Sequence, residues 1–131
     1  MLFRSTLARK ITGREAQSPD LVKVVFAADG RALYFSRSAI PYHRNPAGSL
    51  YYGHIGIYAL RMQALKKFVN LEQSRLEVFE KLEQLRLLEN HIPIHIVETQ
   101  HKSIGVDRTQ DIEIVTKIIL EQEKVRRRGV D

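Results

Sequence analysis

The chain has 131 residues, 44% hydrophobic and 27% charged, with neither cysteine nor tryptophan. That length builds the core of one domain and is too short for two. The lack of cysteine excludes a disulfide scaffold, thiolate zinc and iron–sulfur sites, and a cysteine nucleophile. The formal charge of +6 falls entirely in the first half: residues 1–65 carry nine Lys/Arg against three Asp/Glu, and residues 66–131 carry twelve of each. An anionic partner (nucleic acid, a nucleotide or an acidic sugar) would therefore feel the first half, unless that charge is simply an idle basic surface. The uncharged apolar stretches near 55–60 and 92–97 fall far short of the roughly 20 residues that span a bilayer. No apolar segment follows the charged first residues, so a signal peptide is not expected and a cytoplasmic setting is the default.

In chain order, residues 21–26 are short and β-branched, and a second run ends at Tyr34 and Phe35. Asp29-Gly30 between them marks a turn, so 21–36 reads as a β-hairpin with a four-residue connection. Residues 41–48, with two prolines, an Asn and a Gly, read as a loop. Residues 51–60 are aromatic and β-branched and predict a third, well-buried strand; Gly53 and Gly56 within it suggest close approach of another backbone or a ligand. A short helix at about 61–69 follows. Leu76, Phe79, Leu82, Leu85 and Leu88 then recur every third residue, which predicts one long helix facing a core. Asn70 can cap its start, with Gln73 placed for a capping-box contact, and Asn90 can end it in a left-handed conformation. Ile92, Ile94 and Ile96 alternate as a strand, limited on one side by Pro93. A last helix spans 107–124, with Ile112, Val115 and Ile119 inward. Strands first, then helix–strand–helix, make a mixed α/β chain with no repeat and no linker.

Several side chains qualify for chemistry, each with a plainer alternative. Arg37 leaves a strand just before a Pro-anchored loop, where a guanidinium can fork a carboxylate or phosphate or simply lie on the surface. His54 and Tyr58, four apart on a strand, share a face; they can line a polyol pocket or form a hydrogen-bonded core pair. Glu83 and Gln84 are about 100° apart on a helix, which puts Glu83 at the edge of the leucine stripe and Gln84 in solvent. Asp107 suits a helix N-cap, and equally a hard oxygen ligand for Mg²⁺. His91 and His95 fall on one strand face, but with His101 in a turn and no carboxylate they do not form a zinc pattern. The tail Lys124 and Arg126 to Arg128 reads as a solvated, basic C-terminus. No glycine-rich phosphate loop, Walker sequence or Ser–His–Asp order is present.

Taken together, Thr6-Leu7, VKVV at 22–25, ALYFSR at 32–37, Ile40-Pro41, HIGIY at 54–58, LEQLR at 82–86 and GVD at 105–107 resemble the 3-deoxy-manno-octulosonate cytidylyltransferases, the CMP-KDO synthetases. The likeness runs through nearly the whole chain in the family's order, but it covers only the family's C-terminal half. It implies an α/β fold, the second half of a nucleotide-diphospho-sugar transferase-like, Rossmann-like three-layer architecture with a β-hairpin insertion. Residues 1–131 would form one domain fragment, the sugar-acid-binding and dimerisation half, without the N-terminal CTP-binding half.

The resemblance also implies a magnesium-dependent transfer of CMP from CTP to the anomeric hydroxyl of 3-deoxy-manno-octulosonate, releasing pyrophosphate, for lipopolysaccharide core synthesis in the cytoplasm. Arg37 would hold the sugar acid, with His54, Tyr58, Glu83 and Gln84 completing the pocket. Asp107 would be one Mg²⁺ ligand, the other lying in the missing half. The expected partners are the two substrates, a second copy as in the family's homodimers, and a separate N-terminal half; neither membrane nor nucleic acid is expected. Half of such a fold exposes sheet edges and helix faces, so the chain alone is expected to be marginally stable and inactive. A sugar-acid-binding module without catalysis, and a basic nucleic-acid module, are the alternatives.

Overall fold

A computed structural model describes residues 4–102, 105–106 and 109–128. The chain divides into two compact units, 1–101 and 102–131. In the first, the strands are β1 (Arg4–Ile11), β2 (Lys23–Phe26), β3 (Ala32–Ser36), β4 (Tyr51–Leu60) and β5 (His95–Glu98). They form one sheet in the order β3-β2-β4-β1-β5. Its helices are α1 (Gly13–Ala16), α2 (Met62–Val69), α3 (Arg75–Glu80) and α4 (Gln84–Glu89). The second unit holds α5 (Thr109–Arg128), on which Ile112 and Ile119 are about half exposed. No helix among the described residues is long and apolar enough to cross a membrane.

The hairpin forms around Gly30 as expected, with five residues rather than four between β2 and β3. Gly30 takes φ +83°, which glycine adopts without a Cβ penalty, and its carbonyl accepts from the Ile96 amide while Ala32 N–H donates to Ile94 O, both at 2.8 Å. The hairpin turn is thereby tied to β5. Val24, Phe35, Leu85 and Ile94 are fully buried in the core between hairpin, α4 and β5. Lys23 is also fully buried; its ammonium donates to Ser18 O at 2.7 Å, Leu21 O at 2.6 Å and Arg37 O. One cation thus joins the segments before β2 and after β3.

β1 is a strand that hydrophobic patterning does not reveal. Its inward positions are Arg4, Thr6, Ala8 and Ile11, and only the last is a large hydrophobe. It runs antiparallel to β4 and parallel to β5. The β1–β4 register slips by two residues: Leu7 faces Ile55, but Thr6 faces Tyr58, so the ladder skips Gly56 and Ile57. Such a bulge bends the strand and re-aims its side chains.

The single long helix is corrected to two. Its start is not Asn70, which closes α2; the cap is Ser74, whose amide donates to Glu77 Oε2 at 3.1 Å. Lys81 at φ 55° breaks the run after Glu80, and α4 restarts at Gln84. Leu82 and Leu85, after the break, are buried, while Phe79 before it is 71% exposed. A straight helix cannot keep a period of three on one face, and the break removes that conflict. Asn90 closes α4 at φ −96°, and the left-handed residue is His91. His91 therefore does not share a strand face with His95.

Candidate active site

The bulge of β4 and the start of α4 bring His54, Tyr58 and Glu83 near one another, and Arg37, after β3, lies on the α3–α4 break. Arg37 follows β3 directly. Its Nε donates to Glu80 O at 2.8 Å, and its terminal nitrogens donate to Pro19 O at 3.1 Å and Lys81 O at 3.4 Å. These bonds fix the guanidinium against the α3–α4 break and still leave N–H donors over. The Arg37 amide donates to Glu80 Oε2 at 3.0 Å, Ser36 Oγ to Glu80 Oε1 at 2.6 Å and Tyr34 O–H to the same oxygen at 3.3 Å. Burial would raise the Glu80 pKa, but these bonds, with the Arg37 backbone bond foremost, hold it below the ordinary carboxylate value.

His54 sits one step before the bulge and Tyr58 at its end. Sharing a face was expected; the bulge goes further and brings the two ring centroids to 5.5 Å. The His54 ring also meets the edge of Phe35 at 5.0 Å, which links the pair to β3. Burial lowers the His54 pKa to about 4, so the imidazole is neutral near pH 7. The Tyr58 phenol is raised well above its ordinary value, chiefly by burial and further by the Glu83 carboxylate nearby. Gly53 makes room for side chains rather than for another backbone or a ligand: a Cβ there would come within 2.9 Å of Ile11 Cγ2. Gly56, in open space, lies in the bulge instead.

Glu83 and Gln84 stand at the N-terminus of α4. Gln84 is buried and Glu83 exposed, the reverse of what the leucine stripe predicts, because the break at Lys81 resets the helical phase. Asp107 lies outside the described residues. Among the described residues, no three His, Asp or Glu side chains gather into a metal site.

Patterning gives no hint of Thr6. Its buried hydroxyl lies 2.9 Å from His54 Nε2, 2.8 Å from Ile57 O and 3.1 Å from Ile55 O. It stitches the carbonyls on both sides of the bulge and touches the histidine next to it. In the sequence only its position within the Thr6-Leu7 match distinguishes it.

Fold and residues together define an α/β sheet with a cluster of polar side chains at the bulge of β4, and comparison with known proteins gives this class a family. The cytidylyltransferase family model matches residues 3–104, and the chain belongs to that family. It is 57% identical over 120 residues to the 3-deoxy-manno-octulosonate cytidylyltransferase of Oleidesulfovibrio alaskensis, covering 91% of this chain and 48% of that protein. The protein of that name from Lawsonia intracellularis is 56% identical over 119 residues, covering 90% of this chain and 47% of its own. The solved structure of CMP:2-keto-3-deoxy-manno-octonic acid synthetase, complexed with CTP, superposes with a TM-score of 0.88 at 40% identity, over 92% of this chain and 50% of that one. The α/β fold expected from the sequence is the fold of that synthetase. The chain spans about half the length of the relatives it matches.

Proposed function

We propose that this chain is the sugar-acid-binding half of a 3-deoxy-manno-octulosonate cytidylyltransferase. The observation that carries this is the pairing of His54 with Tyr58 at the β4 bulge, the Glu83 carboxylate near that phenol, and Arg37 held on the α3–α4 break two residues before Glu83, in a chain 57% identical to a relative of that name. The sugar's anomeric oxygen attacks the α-phosphorus of CTP, the bond to the β-phosphate breaks, and pyrophosphate leaves with CMP joined to the sugar. Such transfers depend mainly on positioning and electrostatics.

In this reading the residual Arg37 donors take the sugar carboxylate. Neutral His54, the Tyr58 phenol, Glu83 and Gln84 take hydroxyls, so charge recognition and hydroxyl recognition fall to different side chains. Mg²⁺ is the expected cofactor, with Asp107 as one ligand, and would neutralise phosphate charge. The CTP-binding half is the part of the relatives that this chain does not span, and a second copy completes a homodimer. Ile57, Met62, Val69 and Phe79, each more than 60% exposed, fit a chain that is covered by such partners. The setting is the cytoplasm, and the product serves lipopolysaccharide core synthesis.

The test is pyrophosphate release from CTP, Mg²⁺ and the sugar acid, with this chain alone and with the N-terminal half of a relative supplied separately. Turnover is expected only in the mixture. Turnover by the chain alone overturns the half-enzyme reading; silence in both, with folded protein that does not bind the sugar acid, overturns the assignment.

A further inference from the structure

The Thr6 hydroxyl has one hydrogen and four polar neighbours: the Tyr58 phenol, which can itself donate to it, His54 Nε2 and two carbonyls. The carbonyl oxygens, Ile57 O at 2.8 Å and Ile55 O at 3.1 Å, only accept. If the hydrogen pointed to His54 Nε2, the oxygen lone pairs of Thr6 would face both carbonyls at contact distance, buried, with no proton between them. The hydrogen therefore goes to a carbonyl, and the 2.9 Å contact with Nε2 is closed by a proton on the ring. A neutral imidazole protonated at Nε2 bears its lone pair on Nδ1.

We propose that Thr6 is a positioning residue that holds His54 as its Nε2–H tautomer, making Nδ1 the acceptor for a ligand hydroxyl. Among the described residues the fold engages Nε2 and gives Nδ1 no hydrogen-bond partner, which leaves it for the ligand. Thr6 also bridges the carbonyls of Ile55 and Ile57, so the same hydroxyl sets both the shape of the bulge and the direction of the lone pair. Burial keeps the ring neutral, and a neutral acceptor selects O–H donors over carboxylates. The ligand part rests on the sugar-acid reading above; the tautomer does not.

The experiment is ring ¹⁵N–¹H correlation spectroscopy of the full 131-residue chain near neutral pH, for the wild type, Thr6→Ser and Thr6→Val. The expected spectrum shows a slowly exchanging proton on His54 Nε2 and an unprotonated Nδ1. Protonated Nδ1, or a ring behaving like free histidine, overturns the inference, and this readout needs no variant to fold. Thr6→Ser should retain the protected proton, whereas Thr6→Val should speed its exchange by about tenfold or more, the loss of one hydrogen bond. An unchanged proton in folded Thr6→Val overturns the role of Thr6.

Titration with 3-deoxy-manno-octulosonate separates the two readings. Affinity about tenfold weaker in Thr6→Val and preserved in Thr6→Ser supports the assignment, and equal affinity in both overturns it. Absence of saturable binding with the Nε2 proton in place counts against the sugar-acid reading alone.

Discussion

Two regions of the first unit bury polar groups in different ways. On the hairpin and helix side, each buried charge meets several partners. Lys23 has three carbonyls, the Glu80 carboxylate accepts from Tyr34, Ser36 and the Arg37 amide, and Glu77 is paired with Arg86. On the β1 side, polar groups are left over. Among the described residues, His54 keeps one ring nitrogen clear of the fold's hydrogen bonds, and Arg4 is 1% exposed with Nε and one terminal nitrogen lacking a partner. Saturated buried charges lock a fold and are costly to cut. Unsaturated ones signal either a ligand's place or a cost the fold carries.

The largest effect that would break this contrast lies at Glu77. Its carboxylate takes Arg86 Nε at 2.8 Å and a terminal nitrogen at 2.5 Å, and caps α3 through the Ser74 amide at 3.1 Å. Glu77→Ala leaves the half-buried Arg86 without its counter-charge and should cost about 3–5 kcal/mol by denaturant titration. A loss below about 1 kcal/mol would mean that the pair behaves like an exposed one. Next in size is Glu80→Gln. It keeps an acceptor but loses the charge that strengthens three hydrogen bonds, with an expected loss of about 1.5–3 kcal/mol.

The same carboxylates fix the acid limb of stability. Glu77 is lowered foremost by its Arg86 bond, Glu80 is lowered against its burial, and Glu15 is held at about 2, foremost by the Thr12 amide and then by Arg9. A folded-state pKa below the unfolded value gives stability that is present above about 4.5 and lost as pH falls through the folded value. The midpoint in denaturant should therefore fall steadily from pH 4.5 to 2, and Glu80→Gln should flatten part of that slope. A slope unchanged in Glu80→Gln would show that this carboxylate is not linked to folding.

The contrast was unevenly legible in the sequence. The hairpin, the span of β4 and the alternation of Ile94 and Ile96 follow from short-range rules, but β4 is exposed over its second half rather than well buried throughout. β1 was hidden because its inward positions hold Arg4, Thr6 and Ala8 rather than large apolar residues. The break at Lys81 was hidden because a lysine in a left-handed conformation has no composition signal, although the Ser74-to-Glu77 capping pattern was readable. Arg37, His54, Tyr58, Glu83 and Gln84 came forward as single residues. A two-residue slip between strands forty-odd residues apart joins His54 to Tyr58, and the α3–α4 break positions Arg37 and resets Glu83 and Gln84. No local pattern encodes the slip or the role of Thr6 in pinning it.

The smallest effect sharpens the β1 side. Arg4 donates one bond, to Pro93 O at 3.4 Å, and burial alone depresses its pKa. A guanidinium in that state carries a desolvation cost that one long hydrogen bond does not offset. Methionine has a similar length, fills irregular space and has no polar head. Arg4→Met should therefore stabilise the chain by about 1 kcal/mol, in contrast to the losses at Glu77 and Glu80. A clear loss of stability would place Arg4 with the saturated group, its guanidinium matched in solution by an anion or a water-bridged acceptor. Adding phosphate would then separate the two, because only an anion site shifts the wild-type midpoint with phosphate concentration and leaves that of Arg4→Met unmoved.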